Sequence, residues 1–196
     1  MDISNSKIRE ATEHETLELF KIFQSSPYKF LYEHDLQALL FAKIRKRIPE
    51  SITIKGTGHP LTEYDLSLVY TEYGNKIDVA CVDVVRAQEY PTRIHMGSDI
   101  HIYELPILIG IEIKYRKLGD KFGIESCIAD FIKLNSLNIH EPLVIGFIQN
   151  DQDAKSFFSS SPHGYNPVEV DIIEPLGMIN IVSPTKRWRV DIVNHT

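Results

Sequence analysis

Residues 105 to 115, LPILIGIEIKY, place a glutamate and a lysine inside a strongly apolar run. A strand that is covered on both faces reads as an almost continuous series of aliphatic residues. Residues i and i+2 of a strand point to the same side, so Glu112 and Lys114 share a face. Charged side chains are rarely buried without a partner or a metal ion. The spacing therefore predicts that Glu112 and Lys114 belong to a site.

A second carboxylate lies at the start of another apolar segment, because Asp78 opens the strand-like residues 77 to 85. If the two strands pair, Asp78 and Glu112 converge at one end of the sheet. Two carboxylates, completed by a main-chain carbonyl and waters, suit Mg²⁺ or Mn²⁺. Such an ion lowers the pKa of a bound water and offsets charge on a phosphodiester. Lys114 would orient the attacking water or stabilise the developing negative charge.

The elements that must position these residues follow from hydrophobic periodicity. Helices are predicted over residues 5–24, 30–48 and 124–137. Strands are predicted over residues 66–73, 77–85, 105–115 and 143–149, with shorter β segments over 168–173, 178–182 and 188–193. A turn at Gly74-Asn75 makes the first two strands antiparallel, and a helix between the third and fourth strands allows a parallel pair. These patterns predict an α/β fold with a mixed central β-sheet flanked by helices.

Composition narrows the class of protein. The chain has 196 residues, of which 43% are hydrophobic, and its net charge is −6, which argues against a protein that coats polyanions with positive charge. A cluster of metal-binding carboxylates is itself acidic, so a nuclease stays compatible with this charge. Cys81 and Cys127 have neither disulfide-framework nor zinc spacing. No signal peptide or membrane span is evident, so we expect a cytoplasmic protein that has no membrane partner.

Asp78 followed by Glu112-Ile113-Lys114 resembles the signature of the PD-(D/E)XK nuclease superfamily, which has the restriction-endonuclease-like fold. The resemblance covers roughly residues 28 to 150 and extends to the flanking helices and the β-hairpin. It implies a core in the order α-β-β-β-α-β. We expect a single nuclease-like domain over residues 1–196, in which residues 160–196 form a C-terminal β-rich extension.

The resemblance also implies roles for individual residues. Asp78 and Glu112 would be metal ligands, the main-chain carbonyl of Ile113 a further ligand, and Lys114 the catalytic lysine. Glu33 lies on the helix before the hairpin, where members often carry a glutamate that faces the metal site. It would be a further ligand and catalytic residue, and a solvated helix position is the alternative.

The interval between Asp78 and Glu112 is long for this family. It implies an insertion at about residues 86–104, expected as a long loop or an extra hairpin, or else that Asp83 is the true ligand. We prefer Asp78 because it follows a turn and starts the apolar strand. The choice between Asp78 and Asp83 is one that a structure can address directly.

The function implied is Mg²⁺-dependent hydrolysis of phosphodiester bonds in nucleic acid, with Mn²⁺ as a substitute ion and DNA as the first expected substrate. Two alternatives stay open. One is cleavage of RNA by the same chemistry, and the other is a catalytically silent nuclease-like fold that serves nucleic-acid or protein binding. A homodimer is a further expectation, because two sites related by symmetry cut two strands most easily.

Other charged residues have simpler interpretations. Asp130 and Lys133 are spaced for an ion pair on a helix surface, and we favour that interpretation over catalysis. Trp188 is interpreted as a core residue between two outward-facing arginines, Arg187 and Arg189.

Overall fold

The computed structural model describes residues 4–55, 63–74, 76–89, 105–159, 162 and 164–192. Over these residues the helices are α1 (Asn5–Ser25), α2 (Glu33–Arg47), α3 (Val84–Glu89), α4 (Ile124–Ser136) and α5 (Ala154–Phe157). The strands are β1 (Ser51–Lys55), β2 (Glu63–Ser67), β3 (Val69–Tyr73), β4 (Ile77–Val82), β5 (Ile107–Arg116), β6 (Glu141–Ile148), β7 (Tyr165–Val170), β8 (Ile179–Val182) and β9 (Arg187–Ile192). Short 3-10 helices lie at Pro27–Lys29 and Asp151–Asp153. No helix in these ranges is both long and apolar enough to cross a membrane.

The strands of the described residues form two sheets. β1 pairs with β2, and the other seven strands form a central sheet in the order β3-β4-β5-β6-β8-β9-β7. β5 runs parallel to β6, and β6 runs parallel to β8, while the remaining neighbours are antiparallel. The prediction of a mixed α/β architecture is therefore confirmed, as are the antiparallel first pair and the parallel pair joined through a helix.

Helices cover the central sheet on both faces. Phe23 of α1 and Leu40 of α2 share a core with Ile111 and Ile113 of β5. On the other side, Phe131 and its neighbours in α4 form a second core with β6 and β8. β5 is thus buried on both faces, which explains its almost continuous aliphatic sequence.

The predicted strand over residues 66–73 is wrong, because this stretch contains two strands of different sheets. β2 ends at Ser67, β3 begins at Val69, and the backbone bends at Leu68 between them. Leu68 is fully buried, and its carbonyl accepts a hydrogen bond from the amide of Val82. The apolar pattern continues through the bend because Leu68 itself packs in the core, so the sequence carries no turn signal there.

The predicted strand over residues 77–85 is three residues too long. β4 ends at Val82, and Asp83 is the residue that precedes α3. Its Oδ1 accepts a hydrogen bond from the amide of Arg86 at 3.0 Å. Aspartate is a preferred helix N-cap because its side chain satisfies a free amide of the first turn. Residues 84–89 are therefore helical, which corrects the start of the expected loop or hairpin over 86–104; residues 90–104 lie outside the described residues.

The C-terminal β segments extend the central sheet beyond β6. β8 pairs with β6, β9 pairs with β8, and β7 forms the far edge. The interpretation of Arg187 as outward-facing is wrong, because its side chain is fully buried. Trp188 is only half-buried, so the expected pattern of a core tryptophan between outward-facing arginines does not hold.

Candidate functional site

The candidate site lies where β4 and β5 separate. Their pairing ends at Val79 and Ile111. Beyond this point the amide of Ile113 is bonded by a side chain, because Asp78 Oδ2 accepts from it at 2.7 Å. The N–H and C=O of one strand residue point to the same neighbouring strand. The Ile113 carbonyl therefore lies along the same edge of β5 as Asp78.

Glu33 meets the same edge of β5 from the first turn of α2. Its Oε2 accepts from the amide of Tyr115 at 3.1 Å, two residues beyond the amide that Asp78 binds. A carboxylate in the first turn is favoured by the positive end of the helix dipole. The side chains of Asp78 and Glu33 thus take the place of main-chain carbonyls as hydrogen-bond acceptors along the unpaired part of this edge.

Glu112 and Lys114 face α4, on the same side of the sheet, as their spacing predicts. Glu112 Oε2 lies 2.8 Å from Lys133 Nζ, and Lys114 Nζ lies 3.0 Å from Asp130 Oδ2. Lys133 and Asp130 also contact each other at 3.5 Å. The interpretation of Asp130 and Lys133 as a helix-surface pair is therefore incomplete, because each of them also pairs with an opposite charge on β5.

The carboxyl groups of the site are buried or half-buried. Glu112 is 3% exposed, and its buried Oε1 has no hydrogen-bond partner in the part of the chain that the structure describes. Burial, together with the nearby charges of Asp78 and Asp130, raises the pKa of Glu112 to about 7, although Lys133 opposes this. Burial also raises the pKa of Asp78 and of Glu33 above their ordinary values. Negative charge is therefore concentrated here in a poorly solvated place.

Lys114 carries the compensating charge next to these carboxyls. Burial alone would lower the pKa of Lys114, but its contact with Asp130 and the charges of Glu33 and Glu112 outweigh burial and raise the pKa. The ammonium group therefore stays protonated at neutral pH. A permanently charged lysine can stabilise negative charge, and it is a poor proton acceptor.

The donor set fits a divalent ion that keeps much of its water. The buried, unpartnered Oε1 of Glu112 is an acceptor that a cation would satisfy. Within the described ranges there is no group of three or more His, Cys, Asp or Glu side chains arranged to hold a metal ion. Mg²⁺ commonly binds through one or two carboxylates and retains several waters. Asp78, Glu112 and the Ile113 carbonyl match that smaller requirement.

Asp83 lies at the opposite end of β4 from Asp78. The two residues are five positions apart in the chain, which corresponds to about 16 Å along a strand. Besides the α3 amide that it caps, Asp83 Oδ1 accepts from Asn5 Nδ2 at 2.9 Å. Asp83 therefore holds a helix start in place and does not join the group that contains Glu112.

Two further polar residues, Gln37 and Glu72, lie beside Asp78. Gln37 follows Glu33 by one helical turn, and its Nε2 donates to the Asp78 carbonyl at 3.0 Å and to Glu72 Oε1 at 2.7 Å. Glu72 adopts a positive φ of 51°, which is uncommon for a residue other than glycine, and its charge raises the pKa of Asp78. The one-turn spacing of Glu33 and Gln37 is the sequence signal for this contact.

Comparison with known proteins adds no family to this geometry. The chain matches no family model, no curated protein and no solved structure. What the site does must therefore be argued from its own side chains.

Proposed function

We propose that this protein hydrolyses phosphodiester bonds of a nucleic acid, with DNA as the first expected substrate and Mg²⁺ or Mn²⁺ as the ion. The observation that supports this proposal is that Glu33, Asp78, Glu112 and Lys114 lie along the part of β5 that β4 leaves unpaired, close enough to change one another's pKa. If β1, β2 and α3 are treated as additions, the elements α2, β3, β4, β5, α4 and β6 have the order α-β-β-β-α-β that the resemblance implies, so a PD-(D/E)XK nuclease is part of the same proposal.

Asp78, Glu112 and the Ile113 carbonyl would hold the ion. The resemblance also makes Glu33 a further ligand, for which its carboxylate would have to turn from the Tyr115 amide toward the ion. When bound, the ion would acidify a water molecule and offset negative charge on the phosphodiester. Water would attack the phosphorus atom in line, and the bond to the 3′ oxygen would break, leaving a 5′-phosphate as the resemblance implies.

Lys114 would act as a fixed cation in this reaction. Its raised pKa keeps it protonated, so it would donate hydrogen bonds to a phosphoryl oxygen. Asp130 holds its Nζ at 3.0 Å and thereby limits the positions that it can take. A preorganised donor of this kind stabilises charge that develops in the transition state.

A second candidate function is nucleic-acid or protein binding without cleavage. One observation favours it: Lys133 already places a cation 2.8 Å from Glu112, and Asp130 already pairs with Lys114. Charge in the site is thus partly balanced by the chain alone. Calorimetry with Mn²⁺ separates the two functions, because a nuclease must bind the ion at millimolar concentration and a silent fold need not.

The test of the proposed function is a cleavage assay on linear, circular and single-stranded DNA and on RNA, with Mg²⁺, Mn²⁺ or EDTA. The wild-type protein should cut at least one substrate only when the ion is present, and Asp78→Ala should abolish cutting. Glu169→Ala is the matched control, since Glu169 pairs with Lys186 on the surface of β7 and should leave cutting unchanged. Equal cutting by the wild type and Asp78→Ala would contradict the proposal.

A further inference from the structure

An exposed apolar surface borders the candidate site. Tyr28, Leu31, Tyr32 and Leu118 are between 61% and 73% exposed. Tyr28, Leu31 and Tyr32 precede α2, Leu118 follows β5, and the two loops meet where Lys117 Nζ lies 4.9 Å from the centre of the Tyr32 ring. These five residues are called the tyrosine–lysine surface. Large side chains left in solvent as a group commonly mark a binding surface.

Hydrogen bonds fix the backbone of both loops. Asp35 Oδ2 accepts from the amides of Leu31 at 2.8 Å and Tyr32 at 2.9 Å. Asp120 Oδ2 accepts from the amide of Lys117 at 2.9 Å. The exposed rings therefore project from an ordered backbone, and a ligand that binds them would not have to order these loops first.

The tyrosine–lysine surface is continuous with the carboxylate group. Tyr32 immediately precedes Glu33, and Glu33 bonds the amide of Tyr115, two residues before Lys117. The Tyr115 hydroxyl in turn donates to the carbonyl of Phe30 at 2.8 Å, which ties the end of β5 to the loop before α2. A chain that lies across this surface would thus reach the carboxylates directly.

We propose that the tyrosine–lysine surface binds a single-stranded segment of nucleic acid and leads it to the carboxylate group. Tyr28 and Tyr32 would stack on unpaired bases, and Lys117, together with the exposed Lys29, would contact the phosphates. Aromatic side chains beside basic ones are the usual means of binding single strands without sequence preference, because every base has a face on which to stack. Bases inside a duplex are already stacked on each other, so a paired substrate does not offer that face. This inference rests on the proposed function for the identity of the site that it supplies.

Binding is measured with a fluorescent oligothymidine and a duplex of equal length, in EDTA so that nothing is cut. The wild-type chain should bind the single strand more tightly than the duplex. The double variant Tyr28→Ala/Tyr32→Ala should weaken single-strand binding at least about tenfold, which corresponds to about 1.4 kcal/mol. Tyr28→Phe/Tyr32→Phe keeps the rings and should bind like the wild type. Ile173→Ala, a change at another exposed apolar residue in the β7–β8 connection, is the matched control.

The outcomes separate this inference from the proposed function. If no substrate is cut but the alanine variant loses single-strand binding, the surface is supported and the nuclease proposal fails. If metal-dependent cutting occurs but the alanine variant binds the oligothymidine like the wild type, the surface proposal is overturned and the nuclease stands. A variant that changes only self-association or protein binding also overturns it, because the surface would then serve a protein partner.

Discussion

Two of the charged residues that the central sheet buries, Arg187 and Glu112, have very different surroundings. Arg187, at the start of β9, and Glu112, in the middle of β5, are 1% and 3% exposed. The terminal nitrogens of Arg187 donate five hydrogen bonds, whereas Glu112 has one cationic partner and one buried oxygen for which the described residues supply no donor. Equal burial therefore does not mean equal purpose, because Arg187 uses both terminal nitrogens within the chain and Glu112 keeps one of its two oxygens available to a ligand.

The environment of Arg187 is that of a structural charge. It stacks over Phe20, 5.3 Å from the ring centre, and bonds Asn180 Oδ1. Its other hydrogen bonds reach four main-chain carbonyls of the connection between β7 and β8: Asp171, Ile172, Glu174 and Pro175. Of its three nitrogens, Nε alone has no hydrogen-bond partner among the described residues. Arg187 thus ties the connection between β7 and β8 to the sheet.

Arg187→Ala is expected to give the largest loss of stability. The substitution removes five hydrogen bonds, each of which contributes about 0.5–1.5 kcal/mol, so the free energy of unfolding should fall by about 3 kcal/mol or more. Urea denaturation measures this change. Arg9→Ala is the control, because Arg9 makes an exposed ion pair with Glu141 and should cost less than about 1 kcal/mol. Equal effects of the two substitutions would show that Arg187 does not hold the connection between β7 and β8 in place.

Glu112→Gln, unlike Arg187→Ala, is expected to raise the free energy of unfolding above neutral pH. The carboxyl of Glu112 has a pKa of about 7 in the folded chain and its ordinary, lower value in the unfolded chain, so the folded state binds the proton more tightly. In EDTA, Glu112 alone should therefore lower the free energy of unfolding of the wild type by at most about 3 kcal/mol as pH rises from about 5 to about 8. Asp78 and Glu33, whose pKa values are also raised, add to this change in the same direction.

The amide variant removes the ionising group at position 112, so it should be more stable than the wild type at the upper end of this pH range. Urea denaturation at several pH values tests this, and Glu169→Gln on the surface should leave the pH dependence unchanged. A wild type that gains stability as pH rises would contradict the description of Glu112 as a buried carboxyl with unmet capacity.

Lys114→Ala is expected to lower the cleavage rate about a hundredfold, as the loss of a preorganised donor commonly does. Binding of Mn²⁺ should be retained, since Asp78 and Glu112 are unchanged. Lys186→Ala, which removes the exposed partner of Glu169 in the other half of the sheet, should alter neither property. Loss of metal binding in Lys114→Ala, with cleavage and binding falling together, would show that Lys114 only shapes the site.

Much of the half of the central sheet formed by β3 to β6, which carries the candidate site, could be predicted from the sequence. The 3.6-residue period of α1, α2 and α4 and the aliphatic run of β5 predict these elements, because their hydrophobic faces pack against the core. The shared face of Glu112 and Lys114 follows from strand geometry alone. The partners on α4 could not be deduced, because the distance between Asp130 and Lys114 depends on how α4 packs on the sheet.

The C-terminal half was less predictable, for a physical reason. Short β segments reveal their alternation but not their partners, so the order β6-β8-β9-β7 could not be deduced. The burial of Arg187 depends on carbonyls of a connection that has no regular structure. A sequence pattern predicts that an arginine faces solvent. The acceptors that allow Arg187 to be buried are brought close to it by the fold.

The measurement that tests the central claim most directly is metal-dependent cleavage by the wild type and by Glu112→Ala, side by side. We predict that the wild type cuts nucleic acid with Mg²⁺ or Mn²⁺ and not with EDTA. Glu112→Ala should remain folded and lose at least about a hundredfold in rate. Cutting at the wild-type rate by a folded Glu112→Ala protein would contradict the account, because the unsatisfied carboxylate of β5 would then have no part in the chemistry.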